Sequence, residues 1–252
     1  MRRGRRVWLF DLDNTLHDAS HAALAPIGVA MTRYIVERLG LDEPEAVELR
    51  QRYWKRYGAT LIGLVRHHGV DAAHFLEHTH QLPGLESRLR TSAHDRAALL
   101  RLRGRRYVLT NAPRAYARRV LATLGLLRRF DGVIAIEDMA MFGELRPKPD
   151  ARMLRRVAAR LRVPPVRCVL VEDTLDHQKA ARGIGMKTVW MQRYLGGRWR
   201  GGAPRAQAPD RSSDAPKTPA QRAEVGARAC PKPAYVCARI KSLQELPRLR
   251  LR

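Results

Sequence analysis

Two carboxylates one residue apart, Asp11 and Asp13, close a short apolar run, Val7-Trp8-Leu9-Phe10. Acids in such a pair serve as nucleophile, as proton donor and acceptor, or as ligands of a hard cation. Two unit charges about 4 Å apart repel by roughly 4 kcal/mol at an effective dielectric near 20. A cation or a shared proton is therefore expected beside them. Extended backbone would point both acids to one side, whereas a turn would bring Asp13 over the site. The plainer alternative is a surface turn, where Asp and Asn are common.

Further polar groups fall where other apolar runs end. Thr110 and Asn111 follow Tyr107-Val108-Leu109, Glu137 and Asp138 follow residues 132–136, and Glu172 and Asp173 follow Cys168-Val169-Leu170-Val171. Lys148 stands between Pro147 and Pro149, just before a helix that Asp150 can cap. Each residue has an ordinary use: Thr110 as a helix cap, Lys148 as a solvated base, Glu172 and Asp173 as partners of nearby Arg. Together, Asp11, Asp13, Thr110, Asn111, Lys148, Glu172 and Asp173 form the set that phosphoryl transfer needs. A carboxylate approaches a dianionic phosphate only with compensating positive charge, which one Lys and one hard divalent ion would provide.

Elements that would place these groups can be read from periodicity. The run before Asp11 reads as a strand buried on both faces, and in open α/β sheets chemistry sits beyond the carboxyl ends of such strands. After Leu16 the pattern turns helical: Leu24, Ile27, Met31, Ile35 and Leu39 share a face that ends at Gly40. Asp42 begins a second helix, with Pro44 in its first turn, and two shorter helices follow over 60–68 and 71–81. Strands then alternate with helices to about residue 191. This predicts an α/β fold, a Rossmann-like parallel sheet with helices on both faces, plus a small all-helical cap inserted after the first strand. The expected core is 1–17 and 89–195 with 234–252, and the expected cap is 18–88. Residues 196–233, rich in Gly, Pro, Ala and Arg, read as a low-complexity linker or insertion, disordered by composition. A sixth short strand is expected at 235–240, and a helical turn at 243–246.

The chain has 252 residues, 45% of them hydrophobic, and a formal net charge of +24, almost all of it from Arg spread along the sequence. Such a surface attracts phosphates of any kind. Nucleic-acid binding is the competing reading. With aromatics at 6% and no interleaved aromatic–basic motif, it is not favoured. Cys168, Cys230 and Cys237 follow no metal spacing and suggest no disulfide framework. The apolar stretch after the basic start is too short for a signal peptide, and no run approaches a membrane span. A soluble cytoplasmic protein is expected.

The segments Asp11-Leu12-Asp13-Asn14-Thr15, Leu109-Thr110-Asn111, Lys148-Pro149-Asp150 and Val171-Glu172-Asp173-Thr174 together resemble the four motifs of the haloacid dehalogenase superfamily, in order and spacing. More narrowly, residues 11–20, the run Tyr53-Trp54-Lys55-Arg56-Tyr57-Gly58, and the surroundings of Thr110 and Asp173 resemble its pyrimidine 5′-nucleotidase branch. The resemblance implies that Asp11 attacks phosphorus and Asp13 protonates the leaving oxygen. Thr110, the Asn111 backbone N–H and Lys148 would hold the phosphate. Asp11, the Asp13 carbonyl oxygen and Asp173 would bind Mg2+. The expected substrate is a nucleoside monophosphate such as UMP or CMP. A sugar phosphate or another small phosphorylated metabolite is the alternative. His177 stands where this family usually has Asn or Asp, which questions how Lys148 or the metal is braced. In the cap, Trp54, His67 and His68 are candidate substrate contacts. Tyr53 and Tyr57, at helical spacing, read as cap core. His74 and His78 are four apart but lack acidic or Cys partners for a metal.

Overall fold

The computed structural model describes residues 6–90, 92–195 and 231–251. The proposed linker falls almost wholly on residues 196–230, and with Cys230 it lies outside the described residues.

Strand β1, Val7–Phe10, is buried along its whole length. Its side chains alternate between two cores, Trp8 and Phe10 facing one while Val7 and Leu9 face the other. A continuous apolar run is what a strand covered on both faces requires. Next come helices α1 (Ala19–Ala22), α2 (Leu24–Leu39), α3 (Glu43–Tyr57), α4 (Thr60–His68), α5 (Ala72–His80), α6 (Leu85–Arg88) and α7 (Ala93–Arg101). The chain then alternates: β2 (Arg105–Leu109), α8 (Arg114–Thr123), β3 (Gly132–Ile134), the hairpin β4 (Ala140–Met141) and β5 (Glu144–Leu145), α9 (Ala151–Arg160), β6 (Cys168–Glu172), α10 (Leu175–Gly183), β7 (Lys187–Met191) and β8 (Ala238–Ile240).

Six strands form one parallel sheet in the order β3-β2-β1-β6-β7-β8. Helices α7 and α8 bury Leu99, Ala117, Val120 and Leu121 on the Phe10 side. On the Leu9 side, α9 and α10 bury Met153, Leu154, Val157 and Ala181. The expected class is therefore the observed one: an α/β sheet with helices on both faces and a helical segment inserted after β1.

Local chemistry explains the helix ends. Asp42 and Glu45 form a reciprocal capping box at the start of α3, with Pro44 in the first turn. Asp150 accepts from Arg152 N and Met153 N to start α9. Helices α2 to α5 share an apolar cluster built on Tyr34, Ile35, Leu49, Tyr53, Leu64 and Phe75, which Ile136 joins from the core. Tyr53 packs flat on Gly63, where any Cβ would come within 2.1 Å of the ring. Tyr53 is thus core, as its spacing predicts, and Tyr57 packs against the same cluster. No helix among the described residues is long and apolar enough to cross a membrane.

Two segments depart from expectation. The third strand stops at Ile134, and residues 136–139 wind into a 3-10 turn. The cause is Asp138, whose carboxylate accepts from Ala135 N at 3.0 Å and pairs with Arg114 and Arg160. Glu137 accepts from Arg114 N. This acidic pair is structural and forms no part of the site. The last strand begins at Ala238, three residues later than predicted, because the chain before it turns through a Val236 N to Pro233 O bond.

Candidate active site

Strand register brings the motifs together. Phe10 lies opposite Val108 of β2 and Val171 of β6. Asp11 is therefore level with Glu172, and Thr110 lies one residue beyond. Past Phe10 the chain leaves the sheet: Leu12 O accepts from Thr15 N and Leu16 N, and Asn14 adopts φ 56°. The turn, rather than extended backbone, sets Asp13. A second pair of bonds ties the turn down, since Asn14 Oδ1 accepts from Ser20 N and Asn14 Nδ2 donates to Ser20 Oγ, both at 2.9 Å.

Lys148 is the centre of the site. Its Nζ donates to Asp11 Oδ1 and to Glu172 Oε2, each at 2.7 Å, and the ammonium is 1% exposed. Burial pushes the Lys148 pKa down, but the two carboxylates more than offset this and hold it above its ordinary value. Asn111 holds the backbone of Lys148 from the side: Lys148 N donates to Asn111 Oδ1 at 2.9 Å, and Asn111 Nδ2 donates to Lys148 O at 3.0 Å. Glu172 Oε1 accepts from Thr174 N at 3.2 Å.

Thr110 is buried, and its Oγ1 accepts from Ala112 N at 3.0 Å. A hydroxyl that already accepts keeps its proton for another partner. Thr110, Asn111 and Lys148 share with Asp11, Asp13 and Asp173 the lining of a cavity of about 180 Å3. Leu24 of α2 and His177 of α10 complete its wall.

One ammonium does not balance these acids. Burial and the charge of Glu172 push the Asp11 carboxyl well up, beyond what Lys148 offsets. Asp173 is pushed up by burial and then by Glu172 and Asp11. Glu172 is the reverse case: burial raises it, but Lys148 and His177 pull it far below the usual carboxylate range. Asp11, Glu172 and Asp173 each offer an oxygen, all within 4.8 Å of one another. Close buried carboxylates short of positive charge fit a hard divalent cation. The predicted ligands Asp11 and Asp173 are both in this group. Glu172, absent from the predicted set, lies in the same group, with Oε2 on Lys148 and Oε1 on Thr174 N.

Asp13 is held differently. Its Oδ1 accepts from His17 Nε2 at 2.9 Å and from Tyr116 Oη at 2.8 Å. Burial raises its pKa, but these donors outweigh that and hold it below the ordinary value. Neither His17 nor Tyr116 was singled out from the sequence. His17 sits four residues past Asp13, inside the first motif's own turn. Tyr116 lies 103 residues away, on the first turn of α8 after Thr110, and no local signal links it to Asp13. His177, flagged as a departure, places Nδ1 3.1 Å from Glu172 Oε2. It stands beside the acid that pairs with Lys148, but its Nδ1 makes no hydrogen bond there.

The three cap candidates do not line the cavity. His67 bonds Tyr57 Oη at 2.6 Å, His68 bonds Tyr53 Oη at 2.8 Å, and Trp54 is 40% exposed on α3. His74 and His78 stack at 3.9 Å, and His74 bonds Tyr34 Oη; among the described residues neither joins a cluster of metal-ligating side chains.

An open parallel sheet with acids at adjacent strand ends, a buried Lys between them and a helical insertion after β1 defines a hydrolase of one superfamily. The family profile described as haloacid dehalogenase-like hydrolase matches residues 6–185, and the chain belongs to this family. A curated relative, Phosphate metabolism protein 8 of Saccharomyces cerevisiae, is 24% identical over 195 residues, covering 72% of this chain. The match spans 60% of that relative's length. Among solved structures, a HAD phosphatase from Thermococcus onnurineus superposes with a TM-score of 0.54 at 21% identity, covering 96% of both chains. The HAD-hydrolase YfnB of Bacillus subtilis, solved bound to magnesium, gives 0.52 at 18% identity over 97% of both. These similarities show a shared fold.

Proposed function

We propose that the protein is a Mg2+-dependent phosphomonoester hydrolase that works through an aspartyl-phosphate on Asp11. The observation that carries the reading is the Asp11–Lys148–Glu172 chain beneath a cavity into which Thr110 keeps a free hydroxyl proton. Lys148 fixes one oxygen of Asp11 and leaves the other for attack on phosphorus. The Thr110 hydroxyl and the backbone N–H of Asn111, just before α8, donate to phosphate oxygens. Asp13 gives a proton to the leaving oxygen and then takes one from the water that hydrolyses the intermediate. Mg2+, held by Asp11, Asp173 and the Asp13 carbonyl oxygen, would supply the charge that draws a dianion onto a carboxylate. Asp13 also argues against dehalogenation, which needs no second acid. The magnesium bound to YfnB and the yeast relative's name agree with this assignment.

Within that class, the finer reading is a 5′-nucleotidase for UMP- or CMP-like nucleotides. It rests on the likeness of residues 11–20 and 53–58 to the pyrimidine branch. Residues 18–88 would act as the cap, with Trp54, His67 and His68 meeting the leaving group as it closes. A panel of phosphomonoesters assayed with Mg2+ tests both levels. Turnover of UMP or CMP above other esters is expected. Rapid turnover of a sugar phosphate with none of UMP or CMP would remove the nucleotidase and leave the phosphatase. Turnover of no phosphomonoester would remove both.

A further inference from the structure

Asp13 has two carboxylate oxygens, and the structure treats them unequally. Oδ1 takes both hydrogen bonds, from His17 Nε2 and from Tyr116 Oη, while Oδ2 takes none among the described residues. His17 is 0% and Tyr116 2% exposed, whereas the Asp13 side chain keeps 24% of its surface and lines the cavity. The donors arrive from two sides. His17 comes from the turn that follows Asp13, and Tyr116 from α8, the helix that starts just after Thr110. His17 Nδ1 is buried with no partner, so this ring's single hydrogen bond is the one to Asp13. The Tyr116 ring is backed edge-on by His80 of α5 at 5.5 Å, and His80 is itself tied to Leu76 O at 3.1 Å.

We infer that His17 and Tyr116 are positioning residues that clamp Oδ1 and so reserve Oδ2 of Asp13 for proton transfer to and from the substrate. The inference rests on the phosphomonoesterase reading of Asp11 and Asp13. A free carboxyl rotates about its Cβ–Cγ bond and presents either oxygen. Two donors on one oxygen stop that rotation and fix the angle of the other, and proton transfer needs such alignment. In the first step the Asp11 oxygen bonds to phosphorus, the ester P–O bond breaks, and the Oδ2 proton passes to the departing oxygen. In the second, Oδ2 takes a proton from water as the water oxygen bonds to phosphorus and the Asp11–phosphorus bond breaks. The products are an alcohol and inorganic phosphate, and the proton that Asp13 gives in the first step is returned to it in the second. The clamp touches neither phosphate nor cation, so its effect is confined to the proton's path.

That confinement separates the clamp from ordinary core packing. p-Nitrophenolate departs without a proton, whereas an alkoxide needs one. For Tyr116→Phe, which keeps the ring against His80, kcat/KM on an alkyl phosphomonoester should fall about 30-fold or more. On p-nitrophenyl phosphate it should fall less than about 5-fold. His17→Leu should show the same selectivity, and His17→Gln, which returns a donor at similar reach, should recover most of the loss. Equal losses on both esters, or no loss on either, would overturn the clamp. Asp13→Asn serves as the reference. If it too fails to discriminate between the esters, the proton role of Asp13 falls, and the clamp with it. If it discriminates while Tyr116→Phe and His17→Leu do not, the clamp alone falls.

Discussion

At the ends of β1, β2 and β6, polar side chains are buried and bonded across long stretches of chain: Lys148 to Asp11 and Glu172, Asn111 to Lys148, Tyr116 to Asp13. Across α2 to α5, the polar groups pair within the insertion itself: Tyr34 with His74, Tyr53 with His68, Tyr57 with His67. The first set converges on an open cavity, and the second closes on itself beside an apolar cluster that reaches Ile136 and Leu145 of the core. The two sets of polar contacts are thus kept apart, while the apolar packing between insertion and sheet is continuous. A change in one should leave the other's readout almost untouched.

The sharpest way to break that division is Asp11→Asn. Activity should fall by at least about 10⁴-fold. The thermal midpoint should hold or rise, because one of several crowded acids becomes neutral. Full turnover in this variant would overturn the mechanism. Removing divalent ions with a chelator should silence the enzyme to a similar degree, with recovery on adding Mg2+. Activity that persists at excess chelator would disprove the assignment of the acidic cluster.

Lys148→Met tests the core as structure. It leaves two buried carboxylates facing each other, and stability should fall by about 3–5 kcal/mol in denaturant titrations. Pairing it with Glu172→Gln should return much of the stability and none of the activity. If the double variant were active, Lys148 would be a strut only.

A smaller effect is expected where the two regions meet. Burial lowers the His80 pKa from 6.5 to about 4. Below pH 6.5 the unfolded chain takes up this proton first, so the stability present above that value is lost as pH falls towards 4. The loss is up to about 3 kcal/mol. His80→Gln should flatten that part of the pH–stability curve, and an unchanged curve would refute the assignment. Trp54→Ala should do least: KM for a nucleotide rises several-fold, about 1 kcal/mol, with kcat and melting unchanged. An unchanged KM would remove Trp54 from the recognition surface.

The same division explains what could be read in advance. A strand buried on both faces announces itself as an unbroken apolar run, and the polar residues ending it are then placed by the sheet. Asp11, Thr110 and Asp173 could be placed for that reason, whereas Lys148, which stands before α9 and ends no strand of the sheet, was reached through its motif. Tyr116 was not, because its link to Asp13 exists only once α8 packs against the sheet. The β4–β5 hairpin was missed because its two-residue strands carry no period, and its turn rests on Phe142 and Gly143, both at positive φ. The acidic pair at 137–138 was read as ending a strand. The strand stops at Ile134, and in the turn that follows Arg114 and Arg160 claim Asp138.

The side chain of Asn111 has one more consequence. By gripping the backbone of a residue 37 positions away, it fuses the loop after β2 to the loop before α9. The hydroxyl at Thr110 and the ammonium at Lys148 then keep a fixed interval whatever the helices above them do. On the proposed reading, the site would work as a gauge cut to one phosphate, and opening or closing of the insertion would change what reaches the gauge and leave its setting alone.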